Sequence, residues 1–93
     1  KGFIEIEKHG TYEFQTTSDD GSRLLIGGFP IVNNDGLHSR KTVSGDIPLK
    51  AGLHEIEIHF FERGGQQSLE VKWKGPDFDW RHIPAFRLFK TLD

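Results

Sequence analysis

The chain contains no cysteine and no methionine. Without cysteine there is no disulfide framework, no thiolate zinc site and no nucleophilic thiol. The absence assigns no compartment, because an exported domain also folds without disulfides. A dominant charge is lacking too. The 12 basic and 14 acidic residues leave a formal charge of −2, which offers no basic field for nucleic acid. No apolar run approaches the ~20 residues that a membrane span needs, so no membrane insertion is expected, and no stretch reads as a signal peptide. The motifs HExxH, G-x-S-x-G and the phosphate-binding loop are missing, as is any useful amphipathic helical stripe.

What is present is a period of two. In "GFIEIEK", Ile4 and Ile6 alternate with Glu5 and Glu7. In "GTYEFQT", Tyr12, Phe14 and Thr16 share a face. "HEIEIHFF" sets Ile56, Ile58 and Phe60 against Glu55, Glu57 and His59, and "SLEVKWKG" sets Leu69, Val71 and Trp73 against Glu70, Lys72 and Lys74. Antiparallel strands with one buried and one wet face read this way. "SRLLIGG" alternates poorly and is expected to be covered on both faces. "HIPAFRLFK" reads as an edge strand, with Pro84 tolerated at its start. Turn chemistry in "KHG", "SDDG", "NNDG", "KAG", "RGGQQ" and "KGPD" punctuates the runs at short intervals. The 93 residues suit one domain, residues 1–93, burying about 60 % of its unfolded surface. The expected fold is all-β, an antiparallel sandwich or barrel-like single domain. The chain opens on Lys1-Gly2-Phe3 already in a strand pattern, so it is expected to be excised from a larger protein.

Three stretches could carry chemistry. The adjacent carboxylates of "TTSDDGS", Asp19 and Asp20, make a polar turn with Gly21, or supply part of the oxygen shell of Ca2+, which takes 6–8 such ligands. Converging both on one ion requires an unusual backbone, such as a cis peptide, at a cost of about 3–4 kcal/mol. "FFERGGQQS" reads as a hairpin loop turned by Gly64 and Gly65; it also leaves Glu62 at the exit of an apolar strand, a half-site for a hard cation. In "GPDFDWRH", Phe78 and Trp80 fall in an expected polar loop, where Trp80 either closes one end of the core or offers a stacking surface to a sugar ring or a neighbouring domain. The histidines His9, His38, His54, His59 and His82 have no metal-ligand spacing, and His54 falls on the inward phase of its strand. A glycosidase-style carboxylate pair would come from separate strands, yet nearly every Glu lies on a solvated phase. The chain is expected not to be an enzyme.

In their order, "GTYEFQTTSDDGSRLLIGG", "VNNDGLH", "IPLKAGLHEIEIHFFERGG" and "SLEVKWKGP" resemble the protective-antigen fourteen-kilodalton domain, found in anthrax protective antigen, in yeast flocculins and other adhesins, and as accessory domains of glycoside hydrolases. The resemblance runs from about Gly2 to Leu88. It implies a non-catalytic β-sandwich, usually extracellular or at the cell surface, with the periplasm as a further setting. In sugar-binding members a consecutive Asp pair joined by a cis peptide holds Ca2+, and the ion meets sugar hydroxyls directly. Carried over, the metal ligands are Asp19, Asp20 and Glu62 with carbonyls near Gly64 and Gln66, and the ligand-facing residues are Asp19, Asp20, Arg63, Gln66 and Trp80. Flocculin-type members have Asn where this chain has Glu62, which adds a negative charge beside the ion. The long aromatic-rich insertions of adhesins and the extra N-terminal strands of fuller members are missing. The implied partners are a glycan and the neighbouring domains of the parent protein; the competing reading is a structural interdomain module without a sugar site.

Overall fold

The computed structural model of the chain describes residues 2–18, 21–34, 41–60, 69–83 and 88–90. Period-two alternation becomes extended chain throughout, and no helix occurs among these residues. The described residues form nine strands: β1 (Gly2–Ile6), β2 (Gly10–Ser18), β3 (Ser22–Ile26), β4 (Phe29–Asn34), β5 (Lys41–Leu49), β6 (Gly52–Phe60), β7 (Leu69–Gly75), β8 (Phe78–His82) and β9 (Leu88–Lys90). They build two antiparallel sheets, ordered β4-β3-β6-β1-β9 and β5-β2-β7-β8. The all-β sandwich expected from the alternation is the observed architecture.

The inward phase of each strand supplies the core. Ile4, Ile6, Phe14, Leu24, Ile26, Val32, Ile56 and Trp73 are buried between the sheets with Tyr12 and Leu49. Fully burying an aliphatic or aromatic side chain of this size is worth about 1.5–3 kcal/mol, which makes the pairing phase hard to slip. "SRLLIGG" alternates after all. Ser22, Leu24 and Ile26 are buried, Arg23 is exposed and Leu25 is half-buried, so β3 is covered fully on one face only. Its last two glycines are not strand but the hairpin to β4: Gly27 and Gly28 have φ of 58° and 86°, the positive pair that a two-residue turn of type I′ demands.

A second correction concerns "GPDFDWRH". It is not a polar loop, because Phe78–His82 forms edge strand β8 on β7. The cause is aromatic packing. Phe78 lies 4.8 Å from Trp73 and 6.3 Å from Tyr12 between ring centroids, and Trp73 in turn stacks on Tyr12 at 5.6 Å. The register between β7 and β8 shifts at Trp73/Gly75, and Gly75 makes room there. A Cβ on it would lie 2.5 Å from the Phe78 ring and 2.8 Å from the Tyr12 ring.

Tyr12 hydrogen-bonds through its hydroxyl to the Lys8 carbonyl. Burial raises its pKa above 10.0, with Asp77 and Glu7 adding to the effect while the bond to Lys8 opposes it. Because the folded state disfavours the phenolate, stability is untouched below the unfolded pKa near 10 and falls as pH rises beyond it. Tyr12 is the one tyrosine of the chain, so phenolate absorbance reports it alone. Urea unfolding between about pH 9 and 11 should show a loss of stability that is smaller in Tyr12→Phe; equal losses in both proteins would refute the assignment.

Candidate functional site: the Ser18–Ser22 pole

β2 ends at Ser18 and β3 begins at Ser22, so Asp19, Asp20 and Gly21 connect them. The two neighbours of this turn are set by register. Ser22 pairs with Phe60, the last residue of β6, and Ser18 pairs with Leu69, the first residue of β7. Segment 61–68 therefore starts and ends beside the two ends of the Asp19–Asp20 turn. The same two serines anchor a third segment: Ser22 also pairs with Asn34, the end of β4, and Ser18 with Lys41, the start of β5. The strand ends that flank segments 19–20, 35–40 and 61–68 thus share one end of the sandwich. Asp19, Asp20, Glu62, Arg63, Gly64 and Gln66 themselves lie outside the described residues, apart from the strand ends that carry them, and so does the expected cis peptide.

Beneath this pole the core turns polar. Thr16, Ser18, Ser22 and Asn34 are as buried as the isoleucines, continuing the inward phase that holds Tyr12 and Phe14. Their groups are tied together. The Ser18 and Ser22 hydroxyls are 2.9 Å apart, and the Ser22 hydroxyl donates to Thr16 Oγ1 at 3.0 Å. Asn34 Nδ2 donates to the Lys41 carbonyl at 2.8 Å, with longer contacts to Ser18 Oγ at 3.4 Å and the Thr16 carbonyl at 3.5 Å. The Asn34 amide thus ties the end of β4 to the start of β5, and the two serines tie the end of β2 to the start of β3. Burying a hydroxyl or amide is costly unless it is hydrogen-bonded, and four such groups in place of apolar ones trade packing for fixed loop ends. Position parity on β2 was the sequence signal for Thr16. Ser22 and Asn34 carried no comparable signal, since their partners are fixed by long-range register.

Trp80, the other expected site residue, lies farther along the sheet. Trp80 is half-buried in β8, next to Arg81, which pairs with Trp73; its amide is bonded to Asp79 Oδ1 at 2.8 Å. Along β7 that is several residues from Leu69, so the register does not bring Trp80 to the Asp19–Asp20 turn. His54 does occupy the inward phase, and its Nε2 bonds the Lys50 carbonyl at 2.7 Å. His59 is held 2.8 Å from Glu57 and His82 lies 3.6 Å from Glu70. Among the described residues no group of three or more His, Cys, Asp or Glu is arranged to hold a metal. The donor set expected at the pole, carboxylates and carbonyl oxygens, is the hard set that suits Ca2+.

The comparisons with known proteins follow this geometry. The model of the PA14 domain matches residues 1–85. Anti-sigma-I factor RsgI3 of Acetivibrio thermocellus is 26% identical over 91 residues, covering 97% of this chain; the chain spans 14% of the length of that protein. Among solved structures, an anti-sigma factor domain-containing protein superimposes with a TM-score of 0.90 at 25% identity, covering 97% of this chain and 32% of that one. A second, from Clostridium clariflavum, gives 0.90 at 24%, covering 99% and 31%. The PA14 domain of the MpAFP antifreeze protein shares the fold with a TM-score of 0.85 at 23% identity, covering 99% of this chain and 50% of that one. Two antiparallel sheets in this order, with a family match over residues 1–85, establish that the chain belongs to the PA14 domain family.

Proposed function

We propose that this domain is a non-catalytic, Ca2+-dependent carbohydrate-binding module of a larger secreted or surface protein, in an extracellular, cell-surface or periplasmic setting. The observation that supports it is the double pairing of Ser18 with Leu69 and of Ser22 with Phe60. It sets the strand ends flanking Glu62, Arg63, Gly64 and Gln66 beside the strand ends flanking Asp19 and Asp20, which supports a shared site. Asp19, Asp20 and Glu62 supply carboxylate oxygens, and the carbonyls near Gly64 and Gln66 complete the set. Bound there, Ca2+ supplies a Lewis-acidic centre of flexible coordination that exchanges water for vicinal hydroxyls. The buried Thr16–Ser18–Ser22–Asn34 network holds the loop ends in place, so less ordering entropy is lost on binding.

Calorimetric titration of Ca2+ into chelator-stripped protein should give saturable binding, with Kd down to the weak extracellular range of about 10⁻⁴–10⁻³ M. Asp19→Asn should abolish it together with retention on a glycan array, while the melting temperature in chelator stays close to that of the parent protein. A parent protein that takes up no calcium and whose melting temperature ignores the ion would refute the module as a calcium lectin. It would favour a structural interdomain role, to which the exposure of Phe29 (68%) and Leu53 (62%) lends support as apolar surface for a neighbouring domain.

A further inference from the structure

The first and last described strands meet in one ladder. Gly2 lies opposite Lys90, Phe3 opposite Phe89 and Ile4 opposite Leu88. Because β1 and β9 are antiparallel, chain entering at Gly2 and chain leaving at Lys90 pass through the same end of that ladder. Tension between the two ends does not load the ladder as a whole. It falls on the Gly2–Lys90 pair first, then on Phe3–Phe89, then on Ile4–Leu88. Each step loses only the modest net stabilisation of one residue pair.

The sheet orders extend this beyond β9. With β9 released, β1 becomes the edge of its sheet, and β8, the described strand before β9, is already the edge of the other. Among the described residues, β1 is then held by β6 alone and β8 by β7 alone. The loaded end of each is again an open one. Gly2 starts β1 opposite Ile56, and His82 ends β8 opposite Lys72. Each strand that takes the load is thus an edge strand pulled from its free end. Resistance rises at β1, because Ile4 and Ile6 are fully buried and leave the core with it. The Ser18–Leu69 and Ser22–Phe60 pairs belong to strands that bear no load until β1 or β8 has gone.

We propose that the domain is a tension-releasable unit. A pull between its ends opens it by peeling, β9 first and β1 and β8 after it, at a force well below the one that β1 bears when sheared along β6. The relatives are longer than the region they share with this chain, so a load on such a protein reaches the domain through these two ends. Optical tweezers test this on the 93-residue chain in excess chelator, where no bound calcium bears on the result. The sequence has no cysteine, so two introduced thiols fix where the handles attach. Lys1→Cys with Asp93→Cys applies the peeling pull. Lys1→Cys with Ala51→Cys, the latter exposed between β5 and β6, pulls β1 and β6 lengthwise in opposite directions. That geometry loads all five pairs from Gly2–Ile56 to Ile6–Gly52 together, and Lys50→Cys in place of Ala51→Cys repeats it one residue away. Amide spectra matching the parent report that each variant is folded. The end-to-end pull should open the domain at a severalfold lower force than the shearing pull, with a short extension from β9 before the main one. Equal forces in the two geometries, or a higher force end to end, would overturn the proposal, and so would a main extension with no earlier release of β9.

Discussion

Phe14→Ala is expected to lower the free energy of unfolding by about 3–5 kcal/mol, the range for deleting a buried aromatic ring from a core that collapses only in part. Phe14 is fully buried in the middle of β2, and β2 is hydrogen-bonded on both sides, to β5 and to β7. Its ring lies 6.1 Å from that of Trp73, so the cavity would open beside the largest side chain of the core. Small domains have total stabilities of about 5–15 kcal/mol, and each kcal/mol shifts the melting temperature of a domain this size by roughly 4–8 °C. A fall of more than about 12 °C should follow. Thermal melting followed by near-ultraviolet circular dichroism measures it, and a loss below about 1 kcal/mol would mean that the ring does not bear on the core as described.

Gly45→Val is expected to be as damaging, for the opposite reason. Gly45 occupies the inward phase of β5, opposite Phe14. A Cβ there would sit 2.1 Å from the carbonyl oxygen of Ile31 and 3.3 Å from its side chain. Ile31 is the residue skipped where the β3–β4 register shifts, between Val32, which pairs with Leu24, and Pro30, which pairs with Leu25. The bulge turns its carbonyl toward the other sheet, and Gly45 lets the backbone of β4 press onto β5. Since the clash is with backbone, no rotamer change relieves it, and edges β4 and β5 must part. Overpacking ordinarily costs about 1–3 kcal/mol, occasionally more; here at least about 3 kcal/mol is expected, with Gly45→Ala nearly as severe because the first carbon already collides. Urea denaturation of both variants tests this, and a substitution within about 0.5 kcal/mol of the parent would disprove the contact.

Much of the fold was readable from alternation alone. Four runs with clean phase became β1, β2, β6 and β7, and their inward residues supply Ile4, Ile6, Tyr12, Phe14, Ile56 and Trp73 to the core; of the expected edge strand, Leu88–Lys90 is β9. The strands that escaped notice did so for separate reasons. β5 carries Ser44, Gly45 and Asp46 in mid-strand, because close approach of β4 excludes a side chain, and so it lacks the apolar beat. β8 has polar residues on its exposed phase, and Phe78 was masked by the turn residues before it. "SRLLIGG" misled because Leu25 adds an apolar residue on the half-covered outer face. For the site, adjacent acidic residues and a carboxylate beside glycines were visible as types, but the placement of the strand ends that flank them depends on the pairing of Ser18 and Ser22 with distant strands. The buried hydroxyls follow the inward phase of β2 and β3, yet composition alone makes Ser and Thr look like surface. Pairing partners, unlike phase, are not a local property of the chain.

The position of β1 has a consequence in time. Gly2 lies opposite Ile56 on one side and Lys90 on the other, so the first strand to be made has both neighbours encoded far downstream. During synthesis at roughly 5–20 residues per second, Ile4 and Ile6 wait several seconds before β6 exists to pair with them, and longer for β9. Topologies dominated by such distant pairing also close slowly, in milliseconds to seconds for all-β sandwiches. For a domain embedded in a longer polypeptide, the interval of greatest exposure to misassembly is therefore its birth on the ribosome. The strand then at risk is the one that ends up shielded between two others.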